Sequence, residues 1–247
     1  MKIAGSVALV TGANRGLGRA YVEALLAAGA GKVYAGARDP ASITDPRVTP
    51  IRLDIVDPGQ VAAAAALCAD VTLLINNAGI MLASPMLAEG SDEAMRREME
   101  VNVFGTLSMI RAFAPVLAAN GGGAIVNMLS VVSWFTSPFN ATYGASKHAE
   151  LAVTNGARIQ LKAQGTRVIG VYAGYIDTDM AAGVDADKIS AREVAEATLA
   201  GVEAGLDHVP VGARAQEIWE AQRTAPAELE ATMQKAWDAS QAAAADR

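Results

Sequence analysis

The sequence predicts an α/β fold, a doubly wound parallel sheet of about seven strands with helices on both faces. Short apolar runs alternate with helical stretches along most of the chain, which is the pattern of parallel strands joined by crossover helices. The run at residues 71–75 has no polar alternation, as expected of a strand buried on both faces. A glycine-rich turn follows the first apolar run, where such a fold passes from its first strand to its first helix.

The amino-terminal half supplies four predicted strands and two predicted helices. The strands are residues 6–11, 32–37, 51–53 and 71–75. A helix is predicted over residues 16–28, because apolar residues recur there at helical spacing and a glycine follows. Three prolines leave room for at best a very short helix in the second connection. The next helix begins at Asp57 and Pro58, a capping side chain followed by proline at the first helical position.

The carboxyl-terminal half supplies the remaining strands and the long helices. The strands are residues 124–128, 167–172 and 208–211, and the helices are residues 91 to about 119, 142–163 and 191–204. The segment 213–247 is predicted to be a helical tail, which Trp219 and Trp237 would pack onto the rest. Because no Gly/Ser- or Pro-rich linker and no repeat of 20–50 residues divides the chain, residues 1–247 are predicted to form a single domain.

Composition excludes several classes of function. Twenty Lys and Arg against 26 Asp and Glu give a net charge of −6, so we expect no nucleic-acid or anionic-membrane partner. Cys68 is the sole cysteine and there are two histidines, which argues against a disulfide and against a metal centre. No apolar run approaches the ~18 residues of a membrane span. The apolar amino end leads straight into the glycine turn and is interpreted as structure, so a cytoplasmic location is expected.

The first strand-to-helix turn, residues 11–18, reads TGANRGLG. Glycines let the chain turn tightly and bring backbone N–H groups close to a diphosphate, and the helix N-terminus adds partial positive charge. Any tight turn needs glycine, but the position between a strand and a helix favours nucleotide binding. The spacing is Gly-x-x-x-Gly-x-Gly, not the G-x-G-x-x-G of typical dinucleotide domains.

At this turn the sequence resembles the classical short-chain dehydrogenase/reductase family, and four further fragments continue the resemblance in order to about residue 178. Residues 76–79 read NNAG after the fourth predicted strand. Asn102 lies in VNVFG, Ser130 precedes Tyr143 by thirteen residues, and Tyr143 begins a Tyr-x-x-x-Lys motif that ends at Lys147. The resemblance implies a Rossmann-type fold and an oxidoreductase that uses a nicotinamide cofactor.

The Tyr-x-x-x-Lys motif also has a direct chemical interpretation. Tyr143 and Lys147 share one face of a helix, and an ammonium beside a phenol lowers a pKa that starts near ~10. Such a tyrosine can give a proton to a carbonyl oxygen or take one from an alcohol. An exposed helix pair is the alternative, which the other fragments disfavour. Ser130 would bond the same substrate oxygen; the resemblance implies that Lys147 also holds the nicotinamide ribose and that Asn102 steadies a proton-relay water.

Charge at the second strand predicts which cofactor is used. The position where NAD-preferring relatives carry an acid holds Ala37, and Arg38 follows it. Arg38 and Arg15, which lies in the glycine turn, could bind a 2′-phosphate, so NADP(H) is predicted. The alternative is that Arg38 and Asp39 form a solvated pair in the loop. Asp54 matches the family residue that bonds the adenine amino group, with an ordinary turn carboxylate as the alternative.

Seventeen residues are predicted to contact the cofactor, from the glycine turn to the segment after the sixth strand. They are Gly12, Asn14, Arg15, Gly16, Leu17, Gly18, Arg38, Asp54, Ile55, Asn76, Ala78, Gly79, Tyr143, Lys147, Gly174, Ile176 and Thr178. The chain departs from the family in having Ala173 before Gly174, where proline is usual. The missing proline frees the backbone there and is expected to loosen the loop.

These observations predict an NADP(H)-dependent oxidoreductase that interconverts a ketone or aldehyde and the corresponding alcohol. The predicted partner is a hydrophobic small-molecule substrate, a carbonyl compound or an alcohol. Six residues near the motifs form either its wall or ordinary core: Met81, Leu82, Trp134, Phe135, Phe139 and Tyr175. One rival is a lyase of the halohydrin dehalogenase type, which Lys147 and the intact glycine turn oppose. The other rival is a regulator that binds NADP without turnover. The filled catalytic positions argue against it: Asn102, Ser130, Tyr143 and Lys147.

A homodimer is expected, because relatives usually pair through the helices predicted at 91–119 and 142–163. The second helix carries Gly156 among alanines. Glycine inside a helix costs ~1 kcal/mol relative to alanine, so Gly156 indicates a packing reason. The alternative is that this glycine is merely tolerated. A tetramer is left open, because the Val-Asp-Gly-Gly-type carboxyl end common in tetrameric relatives is missing.

Overall fold

The computed structural model describes residues 1–245 and is built around a seven-stranded parallel sheet. The strands are β1 (Val7–Thr11), β2 (Lys32–Ala37), β3 (Thr49–Arg52), β4 (Leu73–Asn76), β5 (Gly123–Met128), β6 (Thr166–Tyr172) and β9 (His208–Pro210). Their order is β3-β2-β1-β4-β5-β6-β9. The chain builds outward from β1 to β3, returns to the centre at β4 and builds outward again. The predicted doubly wound α/β sheet is therefore confirmed.

Helices connect the strands and cover both faces of the sheet. They are α1 (Gly16–Ala27), α2 (Pro58–Leu67), α3 (Ser91–Glu98), α4 (Thr106–Ala119), α5 (Ala141–Leu161), α6 (Ala191–Ala204), α7 (Ala213–Thr224) and α8 (Pro226–Ala245). The helix predicted from residue 91 to about 119 is interrupted by a π-helical segment, Met99–Gly105. Apolar spacing alone could not predict this interruption, because the segment continues the helix in the same direction.

Two apolar layers hold the helices to the sheet. Successive strand residues point to opposite faces, so Val10 packs with α1 and α6 whereas Leu9 packs with α2, α4 and α5. Tyr21 is the largest fully buried side chain in the first layer and Phe113 the largest fully buried one in the second. The sheet is thereby fixed from both sides, and its carboxyl-terminal edge becomes a rigid base for loops.

The continuous helical stretch 91–119 is long and apolar enough to span a membrane, by length and composition alone. No such stretch was predicted from the sequence. Here Met109, Phe113 and Leu117 are fully buried against the sheet. A helix whose apolar face fills the core of a protein has the same composition as one that faces lipid.

Two features near the carboxyl end matter for the site. The predicted loop 173–190 contains a short parallel pair, β7 (Ile176–Asp177) with β8 (Ile189–Ser190), which is too short to leave a periodic signal. The described part of the tail is helical, and residues 246–247 of the predicted tail lie outside the described residues. The ring centre of Trp219 lies 4.8 Å from that of Trp134, and the ring centre of Trp237 lies 5.7 Å from that of Phe139. Both features bring chain segments over the carboxyl ends of the strands.

Candidate active site

A cavity of about 1450 Å³ lies beyond the carboxyl ends of the central strands. It begins at the β1–α1 turn, beside the position between β1 and β4 where the strand order reverses. Ligands of open α/β sheets bind at this kind of position. The cavity continues past Ser130 and Tyr143 to the tail helices.

Steric requirements at the glycine turn explain its residues. Gly12 and Gly16 have φ values of +64° and +50°, a region that side chains disfavour. A Cβ at Gly18 would lie 2.0 Å from the carbonyl oxygen of Gly12. Arg15 precedes the first turn of α1, and its side chain makes no capping hydrogen bond there. The turn therefore leaves the helix N-terminus open to the cavity, as a diphosphate requires.

Sixteen of the seventeen predicted cofactor contacts line this one cavity. They are Gly12, Asn14, Arg15, Gly16, Leu17, Gly18, Arg38, Asp54, Ile55, Ala78, Gly79, Tyr143, Lys147, Gly174, Ile176 and Thr178. Gly174 has open space where a Cβ would stand. Arg15 makes an exposed ion pair with Asp179 at 3.3 Å, whereas no ion pair of Arg38 is recorded among residues 1–245. The cavity therefore offers the open glycine turn and the cationic side chains that a phosphorylated dinucleotide requires.

Asn76 is the predicted contact that the structure does not bring to the cavity. Its side chain is buried and donates to Oδ1 of Asn127 at 2.9 Å. Asn77 lines the cavity instead, and its Nδ2 donates to the carbonyl oxygen of Thr11 at 2.9 Å. Adjacent residues at a strand end face opposite ways, and the NNAG motif does not show which asparagine faces inward.

Asn102 is fully buried in the π-helical segment and does not line the cavity. Its Oδ1 accepts from the backbone N–H of Ile80 at 2.9 Å, and its Nδ2 donates to the carbonyl oxygen of Ile80 at 2.9 Å and to Oγ of Ser146 at 3.0 Å. Both amide hydrogens are therefore used within the protein. The side chain ties the loop after β4 to α5, beside Lys147, and its part in a water relay stays a prediction.

Ser130, Tyr143 and Lys147 meet at the middle of the cavity. Ser130 follows β5 and caps a short 3-10 turn, with its Oγ accepting from the backbone N–H of Val132 at 3.4 Å. Tyr143 and Lys147 lie on the first two turns of α5, with the Lys147 ammonium 5.7 Å from the centre of the Tyr143 ring. The end of a central strand and the start of a core helix thus hold the three side chains.

The electrostatics of Tyr143 differ from the prediction made from Lys147 alone. Burial raises the pKa of the phenol, Lys147 lowers it, and the Glu150 carboxylate raises it again. The Ser130 hydroxyl lowers the pKa and Glu98 raises it, each to a lesser extent. Lys147 acts in the predicted direction, but the net pKa of Tyr143 is above its ordinary value, because burial and the nearby carboxylates outweigh the ammonium.

Two buried glutamates near the site were not predicted. Glu150 accepts from the Lys147 ammonium at 2.6 Å. Glu98 accepts from the backbone N–H groups of Leu82 and Ala83 at 2.7 Å and 3.3 Å. The sequence contains a signal for Glu150, since it lies three residues after a lysine on one helix face. It contains none for Glu98, whose partners are backbone groups of a distant loop.

Apolar side chains enclose the far end of the cavity. Of the predicted wall residues, Met81, Phe135, Phe139 and Tyr175 line the cavity, whereas Leu82 and Trp134 do not. Trp134 stacks on Tyr172 with ring centres 4.0 Å apart and anchors the tail through Trp219. Met180, Ile218, Met233 and Ala236 are among the apolar lining residues that sequence reasoning missed. Three of these belong to the tail helices, and no sequence motif predicts that these helices pack over the site.

Comparison with known proteins places this site in a known context. A family model described as short chain dehydrogenase matches residues 6–189. A sorbitol dehydrogenase of Cereibacter sphaeroides is 33% identical over 196 residues, which cover 75% of this chain and 76% of that protein. A short chain dehydrogenase of Monascus purpureus is 32% identical over 201 residues, covering 74% and 69%.

A solved structure extends the likeness to the tail. The crystal structure of a short chain dehydrogenase from Burkholderia cenocepacia, in complex with NADP, is 49% identical and has a TM-score of 0.91. The match covers 94% of this chain and 99% of that one. The likeness therefore includes parts of the chain beyond residue 189, where the family model ends.

Proposed function

The chain belongs to the short-chain dehydrogenase family, an oxidoreductase family, and from that premise we propose that it interconverts a ketone or aldehyde and the corresponding alcohol with NADP(H). The observation that carries the proposal is the meeting of two sets of residues in one cavity. The open glycine turn and Arg38 lie at one end, and Ser130, Tyr143 and Lys147 lie farther along. Bound NADP(H) would supply or accept the hydride.

The protein residues would position the substrate and move the proton. In reduction, Ser130 donates a hydrogen bond to the carbonyl oxygen, and Tyr143 gives that oxygen its phenolic proton as the new C–H bond forms. Lys147 then lies close to the phenolate and stabilises its negative charge. In oxidation the same tyrosine takes the proton from the alcohol.

NADP(H) is proposed as the cofactor because of two arginines. Arg15 and Arg38 both line the cavity, and β2 ends at Ala37 without an acid that would repel a 2′-phosphate. Arginine binds phosphate through a planar set of donors. The NADP complex of the Burkholderia cenocepacia relative supports the same choice.

The proposed substrate is a hydrophobic carbonyl compound or alcohol. Besides Ser130 and Tyr143, the cavity is lined by Met81, Phe135 and Phe139 and by Met233 of the tail. Methionine adapts to irregular apolar shapes, so such a wall favours bulky apolar groups over charged ones.

The decisive measurement is the fall in NADPH absorbance when a panel of apolar ketones and aldehydes is added to the purified protein, repeated with NADH. Turnover with NADPH supports the proposal. Binding of NADPH without turnover of any carbonyl compound would instead support the regulator. Release of halide from a halohydrin without use of NADPH would support the lyase.

We also propose that the chain acts as a cytoplasmic homodimer that pairs through α4 and α5. A groove between these helices is lined by Leu107, Ile110, Val153 and Gly156, and a Cβ at Gly156 would meet no atom within 4 Å. Gly156→Leu would fill the groove, and overpacking of this kind costs about 1–3 kcal/mol. Light scattering coupled to size exclusion should show a dimer that the variant weakens; a monomeric wild type would refute the pairing.

A further inference from the structure

Glu150 is a buried carboxylate that the proposed mechanism does not use. Its side chain is 3% exposed, and a buried ionised carboxylate is costly unless it is paired and hydrogen-bonded. Both of its oxygens are engaged: Oε2 lies 2.6 Å from the Lys147 ammonium, and Oε1 accepts from the Thr106 hydroxyl at 3.3 Å. The carboxylate is therefore held by two helices, α5 and α4.

Lys147 is held just as firmly. Its side chain is 7% exposed, and its ammonium donates to the carbonyl oxygen of Met128 at 2.9 Å as well as to Glu150. An ammonium has three hydrogens, so one remains for the cavity. The end of β5 and the side chain of Glu150 thus set where the ammonium points.

The Glu150 carboxylate also changes the charge around Tyr143. Burial opposes the charge of Lys147, but Glu150 and Tyr143 outweigh burial and raise the pKa of the ammonium above its usual value. The charged groups that act on Tyr143 are Lys147 and Glu150 on α5 and Glu98 on α3. Formation of a phenolate at Tyr143 would add a second negative charge beside the Glu150 carboxylate, with the single ammonium of Lys147 between them to balance both.

On the basis of the proposed function, we propose that Glu150 is a positioning residue that keeps Lys147 charged and Tyr143 protonated, so that the site is poised for carbonyl reduction. Reduction requires the phenol as proton donor, whereas oxidation requires the proton to be absent. Burial raises the pKa of the Glu150 carboxyl, and Lys147 and Thr106 oppose that effect. An ionised Glu150 therefore raises the pH at which the rate of reduction falls, and it raises the pH at which the rate of oxidation rises.

The test compares pH profiles of kcat/KM for Glu150→Gln and the wild type, in both directions. Tyr143 and Lys147 titrate as a coupled pair. Whichever of the two loses the first proton, that proton is lost more easily once the Glu150 carboxylate is gone. In Glu150→Gln, two limbs of the profiles should move to lower pH by about one unit, a typical effect of a nearby charge. They are the limb where kcat/KM for reduction falls and the limb where kcat/KM for oxidation rises. Glu150→Asp, which keeps the charge, should move both limbs back toward their wild-type positions.

Glu100→Gln is the matched control, since Glu100 is exposed and its loss changes the net charge equally. Its profile should coincide with that of the wild type. Unmoved limbs in Glu150→Gln, or an equal shift in Glu100→Gln, would overturn the proposal, because Glu150 would then be un-ionised or its effect nonspecific.

A second measurement does not depend on whether Glu150→Gln folds. The difference in tyrosinate absorbance between the wild type and Tyr143→Phe, followed through an alkaline titration, isolates the phenol of Tyr143. It should ionise above the ~10 of free tyrosine; ionisation below that value would overturn the proposal. Failure of the proposed function looks different, since then the wild type turns over no carbonyl compound or Tyr143→Phe retains normal turnover.

Discussion

The two ends of the cavity differ in how far the sequence determines them. The cofactor end is a backbone structure: Gly12 and Gly16 adopt positive φ, and Gly18 leaves no room for a Cβ. The substrate end is a surface of side chains from separate segments, such as Phe135 after β5 and Met233 on α8. Backbone requirements restrict a position to one residue type, whereas many combinations of apolar side chains can form a wall. The first end is therefore visible in a sequence and the second is not.

The largest expected effect lies where the two ends meet. Tyr143→Phe removes the transferable proton and keeps the ring, so kcat should fall ~10²-fold or more. The affinity for NADPH, measured by fluorescence titration, should change little, because the glycine turn and Arg38 are untouched. Near-normal turnover would remove Tyr143 from the mechanism and with it the proposed division between the ends.

Arg38→Ala tests the charge at the cofactor end. A hydrogen bond to a charged group contributes about 1.5–3 kcal/mol, so the KM for NADPH should rise roughly tenfold or more while that for NADH stays nearly constant. Steady-state kinetics with both cofactors measure the difference. Equal rises for the two cofactors would mean that Arg38 does not contact the 2′-phosphate.

Gly18→Ala tests the backbone requirement itself. The added Cβ would lie 2.0 Å from the Gly12 carbonyl oxygen and 2.8 Å from Nδ2 of Asn77, so the turn must shift. Overpacking costs about 1–3 kcal/mol, and NADPH affinity should fall by roughly five- to 150-fold.

Gly183→Ala is the control for that change, because a Cβ at Gly183 meets no atom within 4 Å and its φ is not positive. Thermal unfolding of both variants separates loss of binding from loss of folding. Unchanged NADPH affinity in folded Gly18→Ala would mean that the turn tolerates a side chain, and the contrast between the two ends would weaken.

The same contrast explains what the sequence predicts about the whole chain. Helix α6 matches its predicted bounds because capping at Ser190 and a glycine after Ala204 mark both ends. Strand β3 begins at Thr49 instead of residue 51 and includes Pro50, which an edge strand tolerates. Two features of the site depend on packing between distant segments. Asn77 faces the cavity whereas Asn76 does not, and Glu150 is buried against Lys147. No local pattern records such packing.

The smallest expected effect belongs to the substrate end, at Met233. This side chain lines the cavity from α8, which Trp237 holds near Phe139. Met233→Ala should remove apolar contact with a bulky ketone equivalent to about one buried methylene, near 0.8 kcal/mol. The KM for such a ketone should therefore rise roughly fourfold. The KM for a small ketone and the affinity for NADPH should stay unchanged, because neither molecule reaches the tail.

Lys235→Ala is the control, an exposed change on the same helix, and it should leave all three values unaltered. If Met233→Ala weakened NADPH binding as much as ketone binding, the tail would support the whole cavity and the two ends would not be separable.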